Sequence, residues 1–323
     1  MTPECAAFTI ATGKPVYLDM AVALARSFRL WHRDHDIGFF LATDKDRADL
    51  PRDLADLDLI PLKPGQYGAG FMPKLYLDHI APAERSLFID ADCLCVGSLA
   101  PAFAGFSGHA VTVIGGEICD GDWFGDVAAI CRRFGVTSMP RFNGGLYYLE
   151  RGAACVRVFE MARALVPQYD DIGFTRLRGS PNDEVVMSLA MALCGQEAIE
   201  ERGDIMNSLL AGPGGVEIDV FKGRAVLSNP KDHPRHNAWY QLEEMRPRLV
   251  HFLGTDTNAY PYRQEMIRLN LVDRHGWPIW LATWWAMLSF SVPWLIANRA
   301  KQFLRPLYRS LFGPRKIPVS ARF

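Results

Sequence analysis

Short apolar runs bounded by turn residues recur along the chain, with helical spacing between them. Residues 6–12 (A-A-F-T-I-A-T) read as a buried strand closed by Gly13 and Pro15. Val16, Met20, Ala23, Leu24 and Ser27 then recur at helical intervals, which predicts an amphipathic helix reaching Trp31. Residues 37–43 form a second strand and Asp58–Leu62 a weaker third. The Gly- and Pro-rich segment Lys63–Pro73 is a loop, Lys74–Ile80 is helical, and Ser86–Ile89 is again a buried strand. Further strands are expected at Ala110–Ile114, Asn143–Leu149 and Leu249–Leu253, and helices at 153–165 and Asp183–Leu193, with an acidic turn at Glu117–Asp126. Strands alternating with helices in this way predict an α/β protein with a doubly wound, mostly parallel sheet flanked by helices.

The composition suits such a fold. Of 323 residues, 49% are apolar and 22% charged, which excludes a disordered or collagen-like chain and suffices for a sizeable core. The seven cysteines show no paired CxxC spacing, so neither a disulfide framework nor a structural zinc site is expected. The opening M-T-P-E-C lacks the basic-then-apolar pattern of a signal peptide, which points to a cytoplasmic setting.

The net charge of -1 conceals an asymmetry. From Arg274 onward there are eight basic residues (Arg274, Arg299, Lys301, Arg305, Arg309, Arg315, Lys316 and Arg322) and no Asp or Glu, so residues 1–273 carry -9 and the tail +8. The tail also contains an uncharged stretch of 22 residues, 276–297, with Trp277, Trp280, Trp284, Trp285 and Trp294. Phe303, Leu304, Leu307, Leu311 and Phe312 then alternate with basic residues at helical intervals. The stretch is long enough to span a bilayer, but Thr283, Ser289, Ser291 and Pro293 interrupt it and its tryptophans are not gathered into two belts. We therefore expect a body, 1–273, and a helical tail, 274–323, that lies on an anionic membrane surface. A spanning helix and a soluble packing arm are the other readings of the tail. No nucleic-acid-binding motif accompanies its basic residues.

Asp90 and Asp92 are the sharpest chemical signal. The strand Leu87-Phe88-Ile89 delivers them to its C-terminal end, where open α/β sheets bind ligands. In an extended segment residues i and i+2 point the same way, so both carboxylates can face one point. Their repulsion is relieved by a divalent cation such as Mg2+ or Mn2+, which can bridge to phosphate oxygens. A pair of solvated turn aspartates is the structural alternative. Cys93 and Cys95, beside the pair, read as core packing.

Four stretches resemble the nucleotide-sugar glycosyltransferases of the GT-A fold, and most closely glycosyltransferase family 8. They are F-M-P-K-L-Y-L-D-H-I…R-S-L-F-I-D-A-D-C-L-C-V at 71–96, F-N-G-G-L-Y-Y-L at 142–149, N-D-E-V-V-M at 182–187 and V-H-F-L-G-T at 250–255. The resemblance implies a GT-A-like, Rossmann-like catalytic domain that moves a sugar, with retention, from a nucleotide-diphosphate donor (UDP-linked) to a glycan or lipid-linked acceptor. It makes Asp90, Asp92 and His251 the ligands of Mn2+ or Mg2+.

By the same resemblance, Thr12 and Tyr17 flank the turn that holds the nucleotide base, and Asp44 stands where a base or ribose contact is made. Lys74 falls near the donor phosphates, and Gly254 allows backbone approach to the diphosphate. Asn143 and Gly144 border the sugar. Asp183, with Asn182 before it, falls near the anomeric carbon, where an Asp can act as nucleophile, stabilise developing positive charge or hydrogen-bond a sugar hydroxyl. Each residue also has a structural reading: a core histidine for His251, a helix-cap aromatic for Tyr17, a turn residue for Asp44, a solvated lysine for Lys74, a helix N-cap for Asp183. The family's Lys after H-F-x-G is absent. Thr255-Asp256-Thr257-Asn258 stands there instead, and Arg263 is the nearest candidate to compensate.

Two rivals remain at this stage. A haloacid-dehalogenase-type phosphohydrolase also uses an apolar strand followed by D-x-D, but this chain has Cys93-Leu94 where a Gly/Thr would follow. A non-catalytic, membrane-bound nucleotide-sugar-binding protein would keep the fold without the chemistry. The expected location is the cytoplasm, peripheral to the inner face of the membrane.

Overall fold

The structure, a computed structural model, describes residues 3–33 and 37–313. Arg315, Lys316 and Arg322 of the basic tail lie outside the described residues. β1 (Cys5–Ala11) runs into α1 (Pro15–Trp31), β2 (Ile37–Thr43) and β3 (Asp58–Pro61). A 3-10 segment at Met72–Tyr76 and the short α2 (Leu77–Ile80) lead to β4 (Arg85–Ile89), β5 (Cys93–Cys95) and α3 (Ala100–Phe106). Next come β6 (Val111–Thr112), β7 (Ile114–Ile118), α4 (Val127–Phe134), β8 (Met139–Phe142) and β9 (Leu146–Glu150). α5 (Ala153–Leu165), α6 (Tyr169–Ile172) and α7 (Asp183–Leu193) precede β10 (Ile199–Glu200), β11 (Met206–Ser208), β12 (Gly215–Asp219), β13 (Arg224–Ser228), β14 (Glu244–Met245) and β15 (Leu249–His251). The described chain closes with α8 (Tyr262–Leu269), α9 (Ile279–Ala286) and α10 (Val292–Phe312).

The main sheet has six strands in the order β3-β2-β1-β4-β9-β6. β1 is parallel to β2 and β4, and β2 is parallel to β3, whereas β9 runs antiparallel to β4 and β6. Side-chain alternation divides the interior into two cores. Ala7, Leu87, Ile89, Leu146 and Tyr148 face the core shared with α1, and Phe8, Phe88, Tyr147 and Leu149 face the one shared with α5 and α7. Each such large apolar side chain, once buried, contributes roughly 1.5–3 kcal/mol. Because both faces are covered, these strands read as continuous apolar runs. Three smaller sheets flank the main one: β10-β7-β8, β11-β15-β5 and β12-β13-β14.

Several expectations need correction. The single strand expected at Ala110–Ile114 is two, β6 and β7, which join different sheets. Glu117, expected in a turn, is paired within β7. The Asn143–Leu149 run starts its strand only at Leu146, because Gly144 and Gly145 make a turn, and the segment from Lys74 begins as a 3-10 helix. Asn182, not Asp183, caps α7: its side chain accepts the Glu184 N–H at 3.1 Å. The short strands β10 to β14 lack an alternation long enough to be seen in sequence.

Candidate active site

Because β2, β1 and β4 are parallel neighbours, their C-terminal ends share one edge of the sheet. Thr12, Asp44 and Asp90 step off that edge, each immediately after its strand. Asp44 Oδ2 accepts the Gly13 N–H at 3.0 Å, tying the β2 exit to the turn that starts α1, and its Oδ1 lies 3.3 Å from Lys45 Nζ. Tyr17 packs, half-buried, at the start of α1. Thr12, Tyr17 and Asp44 thus form one group on this edge.

The second group forms around Asp90. β9 runs back against β4, so the Asn143-Gly144-Gly145 turn lies beside Asp90, whose N–H donates to the Gly145 carbonyl at 3.0 Å. β5 pairs antiparallel with β15 and sets Cys93 opposite His251. His251 Nε2 consequently lies 3.0 Å from Asp92 Oδ1 and 3.7 Å from Asp90 Oδ2. Gly145 is required for this approach, since a Cβ there would come within 2.5 Å of His251 Nδ1.

The protonation of His251 follows from its partners. The Gly145 N–H can only donate, and it meets the Asn143 side chain at 3.1 Å, so that atom is the amide oxygen. His251 Nδ1, 2.6 Å from the same oxygen, must then be the donor. This leaves Nε2 directed at the aspartates, the arrangement by which a ligating histidine is oriented through its other ring nitrogen. The Nε2–Asp92 contact, 3.0 Å long, is favourable when Nε2 carries a proton or when both atoms share a cation. Burial alone would lower the His251 pKa, but the charge and hydrogen bond of Asp92, with the charge of Asp90, outweigh it and raise the pKa above its usual value.

Lys74 bridges the acids on the other side. Its ammonium lies 2.7 Å from Asp90 Oδ2, 3.6 Å from Asp183 Oδ2 and 3.0 Å from the Gly144 carbonyl. Burial disfavours its charge, but Asp183 and Asp90 more than compensate, so its pKa is raised and it stays an ammonium. Asp183 is 1% exposed and also accepts the Tyr147 hydroxyl at 3.0 Å. Burial raises its pKa, while Lys74 and Tyr147 favour its charged form. Glu184 accepts the Gly144 N–H at 2.7 Å, and burial together with the Asp183 charge pushes its pKa up to about 7.

Asp92, Cys93 and His251 offer ligand atoms within 4.8 Å of one another, a set in which Asp90, turned toward Lys74, is not included. Cys93 owes its place there to the cross-strand pairing with His251. Its thiol is pushed well above its usual pKa by burial, and its sulfur faces the Gly145 carbonyl. A protonated thiol is a poor ligand, whereas two carboxylates and an imidazole suit Mn2+ or Mg2+. Asp92 and His251, with Asp90 3.7 Å from His251 Nε2 as the second carboxylate, therefore make a donor set that fits a hard divalent cation once Asp90 turns from Lys74.

Gly254 follows β15 with φ +56°, and a Cβ there would lie 3.5 Å from Arg178 Nη2. Arg178, carried by the loop before α7, is thus the basic side chain found at this turn, while Arg263 sits on α8 with its guanidinium 3.5 Å from Met266 Sδ. Sequence reasoning missed Arg178 because a loop 76 positions upstream brings it there, a contact with no local signature. Tyr147 was legible in principle as the residue two after Gly145 on β9.

No protein-family model matches the chain, and no curated protein matches it by sequence. Solved structures do. The galactosyltransferase LgtC, in complex with donor and acceptor sugar analogues, is 15% identical with a TM-score of 0.51, over 80% of this chain and 93% of that one. An active-site mutant of LgtC is 14% identical with a TM-score of 0.52, over the same shares. This likeness bears out the expected α/β architecture: the chain has the GT-A fold.

The raised pKa of His251 has a definite pH signature. A proton held more tightly in the folded state contributes stability below the unfolded pKa of about 6.5, and that contribution is lost as pH rises through the folded value. In EDTA, urea-unfolding stability is expected to fall as pH rises through this window, and His251→Gln should lessen the dependence, leaving the part due to Glu184, whose raised pKa of about 7 acts in the same direction. Saturating Mn2+ should offset the fall, since metal takes the deprotonated Nε2. A flat wild-type profile in EDTA would contradict the assignment.

Proposed function

We propose that this chain is a metal-dependent glycosyltransferase related to family 8, transferring a sugar with retention from a UDP-linked donor to a glycan or lipid-linked acceptor. The observation that carries the reading is His251: its tautomer is set by Asn143 and its free nitrogen is aimed at Asp90 and Asp92. Asp90, Asp92 and His251 would hold Mn2+ or Mg2+, which supplies neutralisation of the diphosphate as it leaves. Lys74, which neutralises Asp90 and Asp183, would take the donor phosphate oxygens. Thr12, Tyr17 and Asp44 take the base and ribose, and Gly254 lets the backbone approach the diphosphate with Arg178 alongside. Asn143 and Gly144 border the sugar. Asp183, oriented by Tyr147 and Lys74, keeps a carboxylate near the anomeric carbon, where it stabilises positive charge. Asn182 serves by capping the helix that positions Asp183. The likeness to LgtC, whose structure holds donor and acceptor sugar analogues, supports this reading over a phosphohydrolase.

Residues 1–273 form the catalytic part in this reading and 274–323 the anchor. α9 and α10, joined through a π-helical turn at Met287–Ser291, make one continuous 34-residue helix, Ile279–Phe312, that is long and apolar enough to cross a membrane and is mostly unburied. Three contacts favour a helix lying in the membrane plane. Ala282 and Ala286 are buried, the Ser291 hydroxyl donates to Gln264 Oε1 at 2.6 Å, and Trp294 meets Tyr260 at 6.0 Å. A span in this docked arrangement would draw α8, with Arg263, Glu265 and Arg268, toward hydrocarbon, which is costly. Trp280 and Phe303 are 65% and 84% exposed. Ile296, Phe303, Leu304, Leu307 and Leu311 share one helical face, Lys301, Arg305 and Arg309 occupy the opposite one, and Arg299 stands at the boundary beside Phe303.

Turnover of UDP-sugars should require Mn2+ or Mg2+, and Asp92→Asn should lower it by at least about 100-fold. Neither nucleotide binding nor turnover, with or without metal, would overturn the enzymatic reading. The full chain should co-float with vesicles containing phosphatidylglycerol, weakly with pure phosphatidylcholine, and less as salt rises. Phe303→Asp with Leu307→Asp should release it. Equal binding to both vesicle types, or retention by the double variant, would contradict in-plane anchoring.

A further inference from the structure

β8 carries Arg141 one residue before the strand ends, where the chain leads through Asn143 into the Gly144-Gly145 turn of the site. The backbone there is closely held, because Gly115 of β7 packs against the Arg141 carbonyl with no room for a Cβ. The Arg141 guanidinium lies over the Trp239 ring, 3.8 Å from its centroid. Among the described residues it makes no ion pair, and its Nε is buried without a hydrogen-bond partner.

Trp239 is itself braced. It stacks on Tyr240 at 6.1 Å and meets Trp123 edge-on at 6.5 Å. The Tyr240 hydroxyl lies 3.1 Å from Ser208 Oγ, and Ser208 is paired beside His251. Tyr240 senses the charges of Glu201, Glu184 and Arg141. The aromatic patch therefore adjoins the residues around Asp183, and Arg141 and Trp239 are only partly buried within it.

A half-buried guanidinium with no anion beside it is costly by itself. Stacking on Trp239 holds its plane, and the side chain as a whole is only partly buried; a guanidinium so fixed suits a carboxylate or phosphate taken bidentately. The donor diphosphate already has partners in the metal ligands, Lys74 and the Gly254 turn. Arg141 would thus meet a different anionic group.

We propose that Arg141, pinned on Trp239, is a specificity determinant that takes an anionic substituent, carboxylate or phosphate, of a sugar bound beside Glu184. This rests on the glycosyltransferase reading and goes beyond it by naming the substrate class. The anion belongs either to the transferred sugar or to the acceptor, and calorimetry with Mn2+ present separates the two. The donor arm compares UDP-glucuronate with UDP-glucose. The acceptor arm compares methyl glucuronide and glucose 6-phosphate with methyl glucoside, each added to protein saturated with UDP and Mn2+.

The wild type should favour the anionic member in one arm by about tenfold or more. Arg141→Gln should abolish that preference, Arg141→Lys should keep part of it, and Trp239→Leu should weaken it. Affinity for UDP–Mn2+ and the Tm of each variant report whether it has folded. If UDP–Mn2+ binds the wild type but no anionic preference occurs in either arm, or if a folded Arg141→Gln keeps the preference, the proposal is wrong. If UDP–Mn2+ fails to bind the wild type at all, the glycosyltransferase reading fails and this proposal falls with it.

Discussion

Like charges converge at the sheet edge, and the site is organised by how they are countered. Asp90, Asp92, Asp183 and Glu184 bring four carboxyl groups together, and the basic groups set against them are Lys74 and His251. Each acid is handled differently. Asp90 is held by Lys74, Asp92 by His251, Asp183 by Lys74 and the Tyr147 hydroxyl, and Glu184 by a backbone N–H and a pKa lifted to about 7. Even so the cluster remains acid-rich, which is the electrostatic condition under which a divalent cation binds best. The parallel strands, the double glycine after Asn143 and the short β5–β15 pairing all serve to bring these groups close.

The sheet was legible because its strands are buried on both faces. Such strands appear as short apolar runs, and those at 6–12, 37–43 and 86–89 correspond to β1, β2 and β4 within a residue or so. The Asp90–Asp92 pair was legible for the same reason, since an apolar strand ending in acids exposes the acids at the sheet edge. The small sheets were not, because strands of two to five residues carry too few alternations to set a period. The double glycine at 144–145 reads in sequence as the start of a strand, yet its lack of side chains makes a turn and admits His251.

Roles that depend on contacts distant in sequence were the hardest to foresee. Lys74 has the character of an exposed helix residue, yet its side chain is only 11% exposed and lies between Asp90 and Asp183. Arg178 reaches Gly254 and Trp239 reaches Arg141 across long stretches of chain, and nothing in the spacing of residues marks either contact. The tail is the opposite case. Its Trp content, charge asymmetry and helical spacing are compositional, so they could be read directly, and the structure adds which face rests on α8 and which is left to other partners.

The central claim is that His251 Nε2 and the aspartates of the D-x-D share one divalent cation. Pulsed electron paramagnetic resonance of the Mn2+-loaded protein tests it most directly, by reading nitrogen hyperfine coupling at the metal. The account predicts coupling to one imidazole nitrogen, lost in His251→Gln while the weakened site still takes Mn2+ at higher concentration. Bound Mn2+ with no nitrogen coupling, or coupling that persists in that variant, would contradict it.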